Sequence, residues 1–242
     1  MPDKRSHRGP HPDDARLFAE SQWPILRAAV GDLSFLLGRG YAEKSALKLV
    51  GDHFGLTQRQ RIAVMRCSCS DDALATRRQR EVPPGAVSAS ELAVDGYNVL
   101  TTVEAALAGG VVIQGRDGCY RDMASMHGTF RKVRETGPAL GLIGETVAAL
   151  RPQRCLWLLD SPVSNSGRLR SQMRDLAARR GWTWEIELVT NPDTVLADSS
   201  AIIATADSVV LDRCRSWLNL ARLVLTFHLP NARIINLAPE NR

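Results

Sequence analysis

Three aspartates each follow a short apolar run in this chain: Asp95 after ELAV, Asp160 after CLWLL, and Asp207 three residues beyond AIIA. Asp117 and Asp122 follow a fourth run, GVVIQ. If those runs are parallel strands, the acids gather at one edge of a sheet, where open α/β sheets hold their functional crevice. Carboxylates brought together repel and raise one another's pKa unless a cation neutralises them. An oxygen-rich, nitrogen-poor donor set suits Mg²⁺ or Mn²⁺. Such ions activate water and brace the leaving oxygen in phosphodiester cleavage. The expected ligands are Asp95, Asp160 and Asp207, with Asp212 as a further acid five residues on. Each also has a purely structural reading. Asp207 would cap a helix beginning near Ser208, and Asp160 would organise the turn before Pro162.

Two further features bear on a phosphate-containing partner. The loop SPVSNSG (161–167) leads into a helix expected from Arg168, so Ser164, Asn165 and Ser166 could present polar groups and a helix N-terminus to an anion. The alternative is Ser166 as an ordinary N-cap. The stretch RDMASMHGTFRKVR (121–134) carries Arg121, His127, Arg131, Lys132 and Arg134. Arg121, Arg131 and Lys132 are candidate phosphate contacts, and a solvated basic face is the competing reading.

The elements that must position these residues read as follows. ELAVD (91–95), GVVIQ (110–114), RCLWLLD (154–160), WTWEIELV (182–189), AIIA (201–204) and ARIINL (232–237) alternate with helical patterns, the clearest over 168–180. Strands alternating with helices imply βαβ units in a mostly parallel, doubly wound sheet. Ahead of it, residues 1–70 read as a small all-helical module. Pro24 opens one helix, Ala46, Leu47, Val50 and Phe54 share a face of the next, and Thr57 with Gln60 forms a capping box for a third. The turn GLT and the Gln- and Arg-rich helix after it resemble a helix-turn-helix, making Arg59, Arg61 and Arg66 candidate nucleic-acid contacts. Residues 71–90 lack apolar periodicity and read as a linker, leaving 91–242 as the α/β domain.

Segment 94–100, VDGYNVL, resembles the first-strand motif of the PIN-like and NYN nuclease superfamily, and 203–212, IATADSVVLD, is similar to its late strand. Taken whole, the chain resembles an uncharacterised prokaryotic family catalogued as a domain of unknown function. The nuclease resemblance implies a PIN-like fold over about residues 90–240, with Asp95 as the first metal acid, Asn98 as its polar companion, Asp160 as the acid after the third strand and Asp207 as the late acid. NYN members usually carry a second Asp two residues after the late one, and here that position is Val209. The resemblance therefore implies a metal-dependent endoribonuclease-type phosphodiesterase, RNA before DNA. The alternative is a non-catalytic nucleic-acid-binding regulator with an inactive PIN-like domain.

Composition sets outer bounds. With 44% hydrophobic and 24% charged residues the chain is of a globular class. Its net charge of +5 and pI near 9.2 permit a nucleic-acid partner. Five cysteines at scattered spacing argue against a disulfide framework, and Cys67 and Cys69 form a lone C-x-C without the four ligands a structural zinc needs. MPDKRSHRGPHPDD is no signal peptide, and no apolar run nears the roughly 18 residues that would span a bilayer. A cytoplasmic protein without membrane partners is expected, and a homodimer is left open. No G-x-G-x-x-G or P-loop signature is present.

Overall fold

The structure is a computed structural model that describes residues 9–123 and 132–239. Helices come first: α1 (Asp14–Leu17), α2 (Trp23–Gly38), α3 (Glu43–His53), α4 (Gln58–Cys67) and α5 (Asp71–Arg80). The capping box forms as its spacing predicts. The Thr57 side chain accepts the Gln60 N–H, and the Gln60 side chain accepts the Thr57 N–H. Helix α5 occupies half of the segment expected to be a linker. Its local signals are polar: Ser70 caps Ala73, Asp71 and Asp72 sit in the first turn, and Arg77, Arg78 and Arg80 sit in the last, complementing the helix dipole. Only Leu74 and Arg77 are buried, so the helix shows no apolar stripe.

The remaining elements are β1 (Glu91–Asp95), α6 (Gly96–Leu107), β2 (Val112–Gln114), β3 (Tyr120–Asp122), α7 (Thr136–Leu150), β4 (Arg154–Asp160), α8 (Ser166–Arg180), β5 (Trp184–Val189), α9 (Pro192–Asp198), β6 (Ile202–Ala204), α10 (Ser208–Leu211), β7 (Trp217–Leu218), α11 (Leu220–His228) and β8 (Ile234–Asn236). The main sheet has the order β5-β4-β1-β6-β7, and every neighbouring pair is parallel. The chain builds outward from β1 through β4 to β5, then returns to the other side of β1 for β6 and β7. The strand order thus reverses at β1, and the carboxyl ends of β1 and β6 lie where open α/β sheets form their crevice.

Both faces of this sheet are covered. Leu92, Val94, Trp157, Leu159, Ile202 and Ala204 enter one core with α6, α7, α8 and α11. The alternate residues Ala93, Leu158 and Ile203 enter a second core with Leu196 of α9 and Val210 and Leu211 of α10.

GVVIQ and ARIINL do not join the main sheet. They supply β2 and β8 of a three-stranded sheet ordered β3-β2-β8, with β2 antiparallel to β3 and parallel to β8. Its period-2 alternation serves two different cores. Val112 faces the main one, while Val111, Ile113, Ile235 and Leu237 pack with Leu26, Ala29, Val30 and Leu33 of α2 in the helical core. A three-residue strand that is apolar on both faces reads the same from sequence whichever sheet it enters. All five cysteines are buried and free of disulfides. Among the described residues no helix is long and apolar enough to cross a membrane.

Candidate functional site

Asp95 ends β1 and caps α6, its Oδ1 accepting the Asn98 N–H at 3.4 Å. The next residue must be glycine. A Cβ at Gly96 would lie 2.5 Å from Leu159 Cδ2 and 2.9 Å from the Leu158 carbonyl oxygen, because α6 starts against the backbone of β4. The D-G-x-N segment and the A-T-A-D segment then interlock. Thr205 Oγ1 donates to Asp95 Oδ2 at 2.7 Å and accepts the Asp207 N–H at 3.0 Å. Asn98 Oδ1 accepts the Ala206 N–H at 2.8 Å. Asp207 Oδ1 accepts the Val209 and Val210 N–H groups, so Asp207 does cap α10.

In the sheet register Asp95 stands opposite Leu158, so Asp160 lies two residues further along β4, about 7 Å beyond. Its Oδ1 is buried without a hydrogen-bond partner. Beside it, Ser166 turns its hydroxyl back to the Asp160 carbonyl at 2.6 Å, and Tyr97 Oη stands 2.7 Å from that same Ser166 Oγ. Helix α8 starts at Ser166, two residues before the expected Arg168, following Asn165 at φ +72°. Ser164 is exposed.

A fourth acid joins them. Asp193 of α9, in the N-P-D that follows β5, has its pKa raised by burial and by repulsion from Asp207 and Asp160. It obeys the same strand-end rule as the other three, and that rule applied to β5 would have found it. Burial is also the main reason that the Asp95 carboxyl is pushed up to about 7, with Asp207 and Asp193 adding repulsion and the Thr205 hydrogen bond opposing it. Burial raises Asp160 as well. Four carboxylates from the ends of β1, β4 and β6 and the start of α9 therefore stand at the same edge of the sheet, Asp193 feeling both Asp207 and Asp160, and Asp95 feeling Asp207 and Asp193. In kind the donors suit a hard divalent cation, and Asp160 Oδ1 is an open oxygen. In convergence they fall short: among the described residues no group of three or more His, Cys, Asp or Glu side chains stands close enough to hold a metal directly. A cation here would be held by one or two carboxylates and would keep waters, as Mg²⁺ does.

The other sequence candidates lie elsewhere. Asp212 pairs with Arg77 at 2.7 Å. Arg121 is 7% exposed and forks onto Asp117, so a phosphate would have to displace Asp117 to reach it. Lys132 is exposed. Arg131 and His127 lie outside the described residues. Arg59 forks onto the buried Asp14 at 2.5 and 2.8 Å. Arg61 donates to Asp52 at 2.8 Å and to the Leu56 carbonyl at 3.0 Å. Arg66 donates to the Asp122 carbonyl and pairs with its carboxylate. These three guanidiniums bind the module to itself and to β3.

Comparison with known proteins finds relatives by sequence. A family model described as a protein of unknown function (DUF434) matches residues 25–80, and one described as a domain of unknown function (DUF5616) matches residues 84–223. An uncharacterized protein of Methanocaldococcus jannaschii is 26% identical over 186 residues, which cover 77% of this chain and 88% of that one. No solved structure matches. The match over 84–223 contains all four crevice acids and spans more than half of the 242 residues, and the chain belongs to the family described as domain of unknown function DUF5616.

Proposed function

We propose that this protein is a Mg²⁺- or Mn²⁺-dependent phosphodiesterase acting on nucleic acid, RNA before DNA, on a PIN-like α/β scaffold. The observation that carries the reading is the crevice where the strand order reverses, into which Asp95, Asp160, Asp193 and Asp207 bring mutually repelling carboxylates. A bound cation would offset that repulsion, polarise a phosphoryl oxygen and lower the pKa of its water. Asp95 and Asp207 are held by Thr205 and by the backbone they cap, and so keep a fixed geometry. Asp160 keeps an oxygen without a partner and is the acid best able to turn toward a cation. Asn98 positions rather than binds: its amide oxygen ties α6 to the loop before Asp207.

A second reading, a regulator that binds nucleic acid without cleaving it, draws support from Val209, 56% exposed where NYN enzymes carry another acid, and from the lack of three converging donors. Its helix-turn-helix contacts would have to release Arg59 from Asp14 and Arg61 from Asp52.

Labelled single-stranded RNA and duplex DNA, incubated with Mn²⁺ or EDTA, separate the two. The nuclease reading expects cleavage of RNA that EDTA and Asp160→Asn both abolish, with RNA affinity kept. Cleavage that survives either treatment overturns the metal mechanism. Salt-sensitive binding without cleavage moves the assignment to the regulator.

A further inference from the structure

The segment that carries Asp207 has little structure of its own. Residues 205–207 belong to no strand or helix, and α10 is a single turn. One turn does not hold itself together in water, since nucleating a helix fixes many dihedrals for one hydrogen bond. Asn98 and Thr205 hold its Ala206 and Asp207 N–H groups, and its carbonyls are held by two buried arginines. Arg121 of β3 donates its Nε to the Ala206 carbonyl at 2.8 Å and forks its two Nη atoms onto Asp117 at 2.9 and 2.7 Å. Arg77 of α5 donates Nη1 to the same Asp117 at 2.6 Å, Nε to Asp212 at 2.7 Å and Nη2 to the Ser208 carbonyl at 3.4 Å. The carbonyls on either side of Asp207 are therefore each held by a guanidinium, and the residue after α10 is held by one of them. The group is balanced, two arginines against two aspartates. The Arg77, Asp117 and Arg121 side chains are 3%, 2% and 8% exposed.

Asp117 is placed for this by the β2–β3 turn. A Cβ at Gly115 would lie 2.7 Å from Arg121 Nη1 and 3.0 Å from Asp117 Oδ1, so the turn admits no side chain there. Both arginines hold the Asp117 carboxyl well below the usual carboxylate range, against its burial. Each arginine uses all three nitrogens at once, Arg121 on two partners and Arg77 on three, which a lysine ammonium cannot reproduce. Arg77 lies in the helical segment 25–80, whereas Asp117, Arg121, Asp207 and Asp212 lie in 84–223.

We propose that Arg77, Asp117 and Arg121 are positioning residues for the acidic crevice, and that helix α5, through Arg77, is a working part of the site rather than a tether to a separate module. The proposal rests on the crevice reading above. It assigns the helical region a task that needs no contact with nucleic acid: to complete the wall that fixes Asp207.

The test uses the full chain with Arg77→Lys and Arg121→Lys, which keep a positive charge beside Asp117 and lose the second arm. Arg154→Lys, which breaks the bidentate pair with Glu185 at the start of β4, is the control. Amide hydrogen exchange is followed at Asp207, Val209 and Val210 and along β4. Mn²⁺ affinity is read from the electron paramagnetic resonance of the free ion. In both lysine variants, exchange at 207, 209 and 210 should speed up at least about tenfold relative to β4, and Mn²⁺ affinity should fall about 10- to 100-fold. Arg154→Lys should change neither. Exchange that speeds up equally in β4, or Mn²⁺ binding that stays at the wild-type level in a folded variant, overturns the proposal. A wild type that binds no Mn²⁺ ends the metal reading, and the exchange result alone then decides the clamp. Should the lysine variants not fold, Asp212→Ala removes only the half-exposed partner of Arg77 and should loosen the same amides to a smaller degree.

Discussion

Asp95→Asn should stabilise the metal-free protein, and by an amount that depends on pH. Asp95 is 7% exposed, and its carboxyl is raised from the usual 3.8 to about 7, first by burial and then by Asp207 and Asp193. For an acid, a folded pKa above the unfolded one means that the native state keeps its proton longer. Near pH 4 the group is neutral in the native state and costs little. Between about pH 4 and pH 7 the unfolded state has lost a proton that the native state keeps, so stability falls across that window and levels off above about 7, where the native state holds a buried anion. The full interval corresponds to about 4 kcal/mol at 1.36 kcal/mol per pH unit, a ceiling for this one group. Asparagine keeps one oxygen to accept the Asn98 N–H, and its NH2 can donate to the Thr205 hydroxyl in place of the bond Oδ2 accepted, so the cap survives while the charge is removed. Half the ceiling, about 2 kcal/mol, would raise Tm at pH 8 by about 4–8 °C for a chain of this size. The assay is thermal unfolding of both proteins in EDTA from pH 4.5 to pH 8. The gain should be largest at pH 8 and several-fold smaller at pH 4.5. A gap that stays constant across this range, or a variant less stable at pH 8, would refute the argument that burial of a charge dominates at this position.

Other perturbations follow from contacts of known geometry. Gly96→Ala would drive a methyl group into Leu159 and the Leu158 carbonyl, and urea unfolding should show a loss of about 1–3 kcal/mol. Asp117→Ala strands two buried guanidiniums and should cost about 3–5 kcal/mol by the same measurement, against a much smaller loss for Glu185→Ala at the exposed Arg154 pair. Arg59→Ala leaves the fully buried Asp14 without its bidentate partner, so it should lower stability by about 1–3 kcal/mol whether or not nucleic acid is present. An Arg59→Ala protein as stable as wild type, but deficient in DNA binding, would restore the base-reading role for that helix.

Much of the frame is local and therefore legible in sequence. The Thr57–Gln60 box, Pro24 and the runs at 91–95, 154–160 and 182–189 report their own elements, the last starting two residues late as a strand, because caps and periodicities are short-range features. The acids at strand ends are legible for the same reason, since a chain leaving a parallel strand always leaves at the same edge. Partnership across the fold is what sequence hides. Arg121 and Asp212 carry the residue types of a phosphate contact and a metal ligand, but Asp117 is 4 residues from one and Arg77 is 135 from the other. Helix α5 was hidden because its buried face is filled by an ion pair instead of an apolar stripe. The small sheet was hidden because three residues carry too little pattern to name a partner strand.

That small sheet also sets a timetable for synthesis. The wall against which α2 packs includes Ile235 and Leu237, and Arg27 of α2 donates to the Asn236 carbonyl across 209 positions of sequence. Arg233 similarly reaches back to the Asp14 and Phe18 carbonyls. A ribosome adding about 5–20 residues per second makes these groups roughly ten to forty seconds after α2 has emerged. Throughout that interval Leu26, Val30 and Leu33 have their helical neighbours but not their floor. The nascent chain thus carries an uncovered apolar face far longer than a helical hairpin needs to form, and it is the β8 segment, more than two hundred residues downstream, that closes it.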